Sequence, residues 1–389
     1  MDTEINQIRW YHLSMDWISY GRQDVSEDDI NLVTEVLRSD NLTMGSFVDQ
    51  FERQLAKYTK TAAAITVSSG TAALHCAYST INLKGKEVIT SPMTFVATAS
   101  TAVLQGANIK FCDVEAATGN INLDEIESLI TSKTAVVTSV AYAGNPVDIT
   151  RIKTAVKDKD VLVFDDASHA LGSKLSGKMV GEEADLTIFS FFPTKNITSG
   201  EGGAVVSNNL ELLSKARSFK MHGLVREKSK QRIPTEGDWH QEVHNFGLNY
   251  RLSDIHAALG LSQLKKINEF KEKRQRIFDF YLNSLSTISE IKLPSKTPNS
   301  EPFWHLYPIQ VPKQTRKKLF EYLRKNGVIV QVNYIPVYLH PVFQDMGYKK
   351  GICPIAENFY ESEISLPLHT RLTKSNLEYI VQLLTDFFK

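Results

Sequence analysis

Val161-Leu162-Val163-Phe164-Asp165-Asp166-Ala167-Ser168-His169-Ala170-Leu171-Gly172 begins as an apolar run and ends in acids, a hydroxyl, a histidine and small residues. A short run without polar alternation reads as a strand buried on both faces, the kind found in parallel sheets. The pattern returns downstream. Thr187-Ile188-Phe189-Ser190 leads into Phe191-Phe192-Pro193-Thr194-Lys195-Asn196-Ile197-Thr198. Ser199-Gly200-Glu201-Gly202-Gly203 then turns into the apolar Ala204-Val205-Val206. Upstream, residues 62–67, 86–90, 108–111 and 135–140 are also strand-like, with helical stretches such as 123–129 between them. This alternation implies an α/β fold with a mixed, mostly parallel sheet flanked by helices. In open sheets of this class, ligands sit beyond the carboxyl ends of the strands. Asp165, Asp166 and Lys195 stand at such ends.

Lys195 is alone among aromatic, hydroxyl and small residues. Desolvation there lowers the ammonium pKa and frees the amine as a nucleophile. A Schiff base to a carbonyl, such as the aldehyde of pyridoxal 5'-phosphate (PLP), needs such an amine. By itself the segment fits a solvated loop lysine equally well. The upstream acids shift the balance. PLP acts as an electron sink while its pyridine nitrogen is protonated, and a neighbouring carboxylate keeps the proton there. Alone, aspartates at a strand end would more often cap the next turn. A third segment suits a phosphate: Ser68-Ser69-Gly70-Thr71 follows a strand and precedes the helix-like Ala72-Ala73-Leu74-His75-Cys76-Ala77-Tyr78. A helix start offers free N–H groups and a positive dipole end, and glycine allows close approach. The same residues also suit an ordinary Ser/Thr cap. No P-loop Gly-Lys-Ser/Thr is present, and Gly200–Gly203 does not open a helix as a dinucleotide fingerprint does.

Together these segments resemble the DegT/DnrJ/StrS sugar aminotransferases, a branch of the fold-type I PLP enzymes. Ile18-Ser19-Tyr20-Gly21-Arg22-Gln23 resembles the family's opening motif, and Leu42-Thr43-Met44-Gly45 follows it. Thr94-Phe95-Val96-Ala97-Thr98 is similar to the segment whose aromatic residue stacks on the cofactor ring. Gly247-Leu248-Asn249-Tyr250-Arg251-Leu252-Ser253-Asp254 resembles the motif that reaches into the neighbouring subunit's active site. Ile364-Ser365-Leu366-Pro367-Leu368-His369 resembles the C-terminal signature. The resemblance implies an aspartate-aminotransferase-like fold: an arm over residues 1–16, a large PLP-binding domain over 17–262, and a connecting helix with a small C-terminal α/β domain over 263–389. It implies that Lys195 forms the internal aldimine and Asp166 pairs with the pyridine nitrogen. Gly70, Thr71, Ala72 and Ser190, with Asn249 of the partner subunit, would hold the phosphate. Phe95 would stack on the ring and His169 would reach the cofactor hydroxyl. Thr43, Tyr142, Tyr334 and Arg251 would meet the substrate, the arginine from the partner subunit.

The match narrows further. Ala141-Tyr142-Ala143-Gly144, residues 166–173 and Gln331-Val332-Asn333-Tyr334-Ile335-Pro336-Val337-Tyr338 resemble the PseC type. That type aminates C4 of a UDP-linked 4-keto-6-deoxy-2-acetamido sugar in pseudaminic acid biosynthesis. The resemblance implies L-glutamate as donor, pyridoxamine phosphate as the intermediate cofactor form, and a homodimer with shared sites. Two positions depart from it: Phe192 and Asn333 stand where the type usually has His. Some relatives are sugar dehydratases without the lysine, and Lys195 argues against that activity. The set Lys195, Asp166 and His169 argues against a regulatory protein that binds PLP without turnover.

The bulk properties agree. A chain of 389 residues is long for one core, so two domains are expected. Its 44 basic and 44 acidic residues balance, giving no sign of a nucleic-acid or membrane surface. Cys76, Cys112 and Cys353 are dispersed, which points to a reducing, cytoplasmic setting. Neither the cysteines nor the histidines have metal-ligand spacing, so no metal is expected. No apolar run approaches the ~18 residues of a membrane helix, and the amino terminus lacks a signal-peptide core. Ser26 is placed to cap a helix over residues 25–37. A long helical pattern runs from Leu252 to Phe280, and residues 226–244 read as a mobile loop.

Overall fold

The computed structural model describes residues 17–389, so the expected arm over residues 1–16 lies outside the described residues. The first nine strands are β1 (Ala63–Val67), β2 (Glu87–Thr90), β3 (Asn108–Phe111), β4 (Thr134–Val140), β5 (Leu162–Asp166), β6 (Lys174–Leu175), β7 (Lys178–Met179), β8 (Leu186–Ser190) and β9 (Gly203–Ser207). Seven of them form one sheet in the order β3-β2-β4-β5-β8-β9-β1. Pairings from β3 to β8 are parallel, and β9 runs antiparallel to both its neighbours. The chain between β8 and β9 has no helix to make a crossover, so it turns back through the glycines at 200–203.

The first four helices of the described chain are α1 (Glu27–Leu37), α2 (Ser46–Thr59), α3 (Gly70–Tyr78) and α4 (Ala97–Leu104). Ser26 caps α1, its N–H donating to Asp29 Oδ2 at 2.8 Å. Strand side chains alternate faces, and each face of the sheet is covered. On β9, Val205 packs into the core containing Ala73 and Ala77 of α3. Its neighbours Ala204 and Val206 pack on the opposite side with Phe51 and Leu55 of α2. This two-sided burial is why the strands read as continuous apolar runs.

A second core lies in the C-terminal part. The antiparallel pair Tyr307–Gln310 and Glu363–Leu366 carries Tyr307, Ile309 and Ile364 into it, against Ile277 and Tyr281 of the helix Ile267–Leu285. Ile18 joins this core, with backbone hydrogen bonds to Gly327 and Ile329 at 2.9 Å each. The start of the described chain therefore packs with the small core, although the expected boundaries put it in the large domain. The expected long helix is two helices, Asp254–Lys265 and Ile267–Leu285, that meet at Lys266. Its ammonium is held by the buried Asp29 of α1 at 2.5 Å. The expected loop over 226–244 includes Glu242–Val243, which pairs with Leu224–Val225. Among the described residues, no helix is long and apolar enough to cross a membrane.

Candidate active site

The carboxyl ends of β5 and β8 open onto a cavity of about 570 Å³ between the sheet and the small core. Asp166, His169, Ser190, Lys195, Gly70, Thr71, Phe95 and Tyr334 all line it, so residues far apart in sequence meet here.

Asp166 is the last residue of β5. Its carboxylate accepts from Thr98 Oγ1 and from Ser168 Oγ, each at 2.6 Å. Thr98 sits on α4 and is bonded in turn to Thr94 Oγ1 at 2.7 Å. These donors hold one carboxylate rotamer toward the cavity. Asp165 alternates to the other face and accepts from Ser139 Oγ at 2.7 Å. Burial pushes its carboxyl up to about 7, against the Ser139 hydrogen bond and with help from Asp166.

Lys195 lies in the loop after β8. Burial lowers its ammonium to about 8, and the Asp166 charge opposes that shift. Near neutral pH a useful fraction of the amine is therefore unprotonated. The neighbours of Lys195 fix the loop. Asn196 Nδ2 donates to the carbonyls of His169, Leu171 and Phe303 at 3.2–3.3 Å. Arg274 is fully buried and donates to the carbonyls of Trp304, His305 and Leu368, with a longer contact to Thr194 O at 3.5 Å. Together they tie the Lys195 loop to the Asp166 loop and to the small core. No local pattern in the sequence marks either residue, because their partners are backbone carbonyls contributed by other segments.

His169 is buried and neutral, its pKa driven well below the ordinary value by desolvation and then by Lys195. Its Nε2 lies 3.3 Å from Tyr334 Oη. Phe95 and Tyr334 meet edge to face with ring centres 6.4 Å apart. At the helix start, Ser69 caps α3 by accepting from Ala72 N–H at 3.1 Å. The Ala72 amide is thus taken, and the cavity is lined by Ser69, Gly70 and Thr71. The first helical amides have no intrahelical acceptor. A Cβ at Gly70 would lie 2.8 Å from Ser190 Cβ, so only glycine lets the helix start approach β8 this closely.

Other expected site residues lie elsewhere. Tyr142 does not reach the cavity: it is fully buried and its hydroxyl donates to Asn333 O at 2.5 Å. It braces the 331–334 segment from behind. Thr43, Asn249 and Arg251 lie outside their own chain's cavity. They pair with Ser253, Met221 and Val67, and Thr43 and Asn249 are exposed. Of the two departing positions, Phe192 lines the cavity and is 46% exposed. Asn333 lines it too but is buried, and its amide donates to Tyr20 Oη at 2.6 Å and Ser365 Oγ at 3.0 Å.

Residues 23–385 match the profile of the DegT/DnrJ/EryC1/StrS aminotransferase family. The chain belongs to that family. It is an aminotransferase that works with PLP. A UDP-4-amino-4,6-dideoxy-N-acetyl-beta-L-altrosamine transaminase of Campylobacter jejuni subsp. jejuni serotype O:23/36 is 38% identical over 376 residues, 93% of this chain and 95% of its own. The structure of Helicobacter pylori PseC, an aminotransferase of pseudoaminic acid biosynthesis, superposes with a TM-score of 0.90 at 32% identity, covering 96% of this chain and 99% of that one. Streptococcus pneumoniae Spr1654 in its PMP form gives a TM-score of 0.88 at 30% identity, over 94% and 98% of the two chains.

The residues present fit the cofactor. The α3 start with Gly70, Thr71 and Ser190 offers an anion site that a larger residue at 70 would close. Asp166 presents a fixed carboxylate, and Lys195 a desolvated amine.

Proposed function

We propose that this aminotransferase moves an amino group from L-glutamate to C4 of a UDP-linked 4-keto-6-deoxy-2-acetamido sugar, on the route to a nonulosonic acid such as pseudaminic acid. The observation that carries this reading is the cavity in which Lys195, Asp166 and His169 converge, in a chain similar over nearly its whole length to transaminases of such sugars. Lys195, Asp166 and His169 act at the reacting end of the cavity, and Gly70, Thr71 and Ser190 at the phosphate end.

Bound there, PLP supplies a carbonyl that amines condense with and a ring that takes up the electron pair left when a proton departs. Lys195 Nζ, neutral in part near pH 8, would take the proton from the donor's Cα and deliver it to the former carbonyl carbon on the other side of the shared nitrogen. With the sugar it moves the proton in the opposite sense. Asp166 holds a proton on the ring nitrogen, and Thr98 and Ser168 keep its carboxylate aimed there. Neutral His169 with Tyr334 orients a ring hydroxyl without adding charge beside Lys195. Phe95 covers the ring.

The active unit in this reading is a cytoplasmic homodimer in which Asn249 and Arg251 of one chain complete the site of the other. Their position outside their own cavity supports this. So does Phe246, three residues before Asn249 in the chain, which is an aromatic ring left 98% exposed. Another nucleotide keto-sugar is the alternative, and Phe192 at the cavity is the feature that favours it. The test is absorbance of the holoenzyme with glutamate, then with UDP- and dTDP-linked 4-keto sugars, and NMR of the product. An amine at C3, or turnover only of a dTDP-sugar lacking the acetamido group, rejects the proposed substrate.

A further inference from the structure

His305 has no part in the steps above, yet it borders the cavity beside Lys195. Its backbone is fixed on both sides. The N–H donates to Ala143 O at 2.8 Å, and the carbonyl accepts from Arg274 Nη1 at 3.3 Å. Gly144, at φ +92°, makes this approach possible: a Cβ there would lie 2.3 Å from Phe303 O and 3.0 Å from His305 N. His305 is only 7% exposed, and its ring packs on His169, with centroids 4.3 Å apart and 39° between the planes. Desolvation first, and then the neighbouring His169, Lys195 and Arg274, hold its pKa well below the ordinary value. Among the described residues Nδ1 is sealed in the wall without a partner, and Nε2, which is not sealed off, is the nitrogen that a ligand in the cavity can meet. An imidazole held rigidly at a cavity wall, with one nitrogen unengaged among the described residues, is placed to hydrogen-bond a ligand there.

We propose that His305 Nε2 binds substrate, at an oxygen carried on the carbon next to the reacting one. The proposal rests on the aminotransferase reading and extends it to a residue outside the family-like motifs. Lys195 has to reach the reacting carbon to move its proton, and His305 lines the same cavity, stacked on His169 and close enough to feel the Lys195 charge. What lies within reach of both is a substituent on a neighbouring carbon. A neutral imidazole suits an oxygen there, as donor to a carboxylate or keto oxygen or as partner to a hydroxyl. In the sugar that oxygen is a ring hydroxyl beside the ketone. In the amino donor it belongs to the carboxylate beside Cα. Both substrates occupy this place in turn, so one nitrogen can serve either.

The two half reactions separate the two sources. Holoenzyme carrying His305→Ala or His305→Gln is titrated with L-glutamate. Enzyme preloaded with pyridoxamine phosphate is titrated separately with UDP-2-acetamido-2,6-dideoxy-4-ketohexose. Each titration is followed by cofactor absorbance in single turnovers. Calorimetry of the amino-sugar product on borohydride-reduced holoenzyme gives the sugar constant without turnover. Loss of one such hydrogen bond is expected to weaken binding about tenfold in His305→Ala. His305→Gln, which keeps a donor and an acceptor, should recover most of it. A change in the sugar arm alone assigns the hydroxyl, one in the donor arm alone assigns the carboxylate, and a change in both assigns both. Unchanged constants in both arms overturn the proposal. So does a fall in thermal stability or cofactor content with substrate constants intact, because that marks a packing residue. Should His305→Ala not fold, His305→Leu fills the volume without a polar atom and serves instead. If the wild type ignores the sugar, the substrate reading fails, and the glutamate arm decides on His305 alone.

Discussion

Asp165 and Asp166 are neighbours in the chain and face opposite sides of β5. Asp166 is aimed at the cavity by Thr98 and Ser168, while Asp165 is held by Ser139 on the far side of the strand. Strand alternation alone therefore separates the carboxylate at the cavity from the one behind the strand.

Asp166→Asn should still load PLP and yet lose about a hundredfold or more in the rate of transamination, because an amide cannot hold the ring proton. Asp165→Asn should turn over normally and differ in stability. The Asp165 carboxyl is raised from 3.8 to about 7 in the fold. Between those values the folded state binds more protons than the unfolded one. Its contribution is thus fully present in acid and is lost as pH rises toward about 7. Asp165→Asn should accordingly raise Tm more at pH 8 than at pH 5, and a thermal scan at both pH values checks this. Reversed roles in the kinetics would give the catalytic carboxylate to Asp165.

Burial lowers Lys195 to about 8. Covalent uptake of PLP by the apoprotein should therefore speed up with pH and level off above about 8. A rate still climbing toward the ordinary lysine range would mean that the amine is solvated. Borohydride reduction of the loaded protein should leave the cofactor's mass on the Lys195 peptide. In Lys195→Ala the covalent label and transamination should disappear together.

The strands, the lysine and the acid were legible in the sequence because each is a local signal. An apolar run marks a strand buried on both faces, and a polar residue at its end marks the ligand side of the sheet. His305, Asn196 and Arg274 were not legible in this way. Their surroundings are carbonyls and rings from three or four distant segments, and no spacing in the chain reports those. Tyr142 shows the converse. Its motif matched, but the fold turns its ring into the core and its hydroxyl to Asn333 O. Ala72 is a smaller case of the same kind, since its amide is taken by the Ser69 cap.

The two departures from the PseC type should behave differently when reverted. Phe192 is a half-exposed wall of the cavity. Phe192→His should leave Tm unchanged and shift KM for the keto-sugar by up to about tenfold, the scale of one added hydrogen bond. Asn333 is buried in a polar network. Its side chain serves Tyr20 and Ser365, and its N–H donates to Glu363 Oε2 at 2.7 Å. Asn333→His cannot keep both side-chain bonds, and losing one should cost about 1–3 kcal/mol of stability. Thermal melts and sugar kinetics on the two variants check this. A silent Phe192→His across a panel of sugars would remove that position from substrate choice.

Arg251 lies outside the cavity of its own chain, beside the end of β1, where it bridges to Val67. In the proposed dimer it serves the partner's site. Mixing inactive Lys195→Ala chains with inactive Arg251→Ala chains should then restore activity. In a mixed dimer one site combines an intact lysine from one chain with an intact arginine from the other. The second site lacks both. Random mixing of equal amounts makes half the dimers mixed, and each has one working site. Recovery should therefore approach about a quarter of the wild-type rate, as expected for a C2 pair that exchanges freely. Native mass spectrometry of differently tagged chains shows whether mixed dimers form. If they form and recover nothing, Arg251 serves its own chain's site or none. Because Phe246, close to Arg251 in the chain, is 98% exposed, Phe246→Asp should weaken the dimer and lower activity at low protein concentration. Added protein should restore both. Full activity in a demonstrably monomeric Phe246→Asp protein would mean that each chain has a complete site of its own.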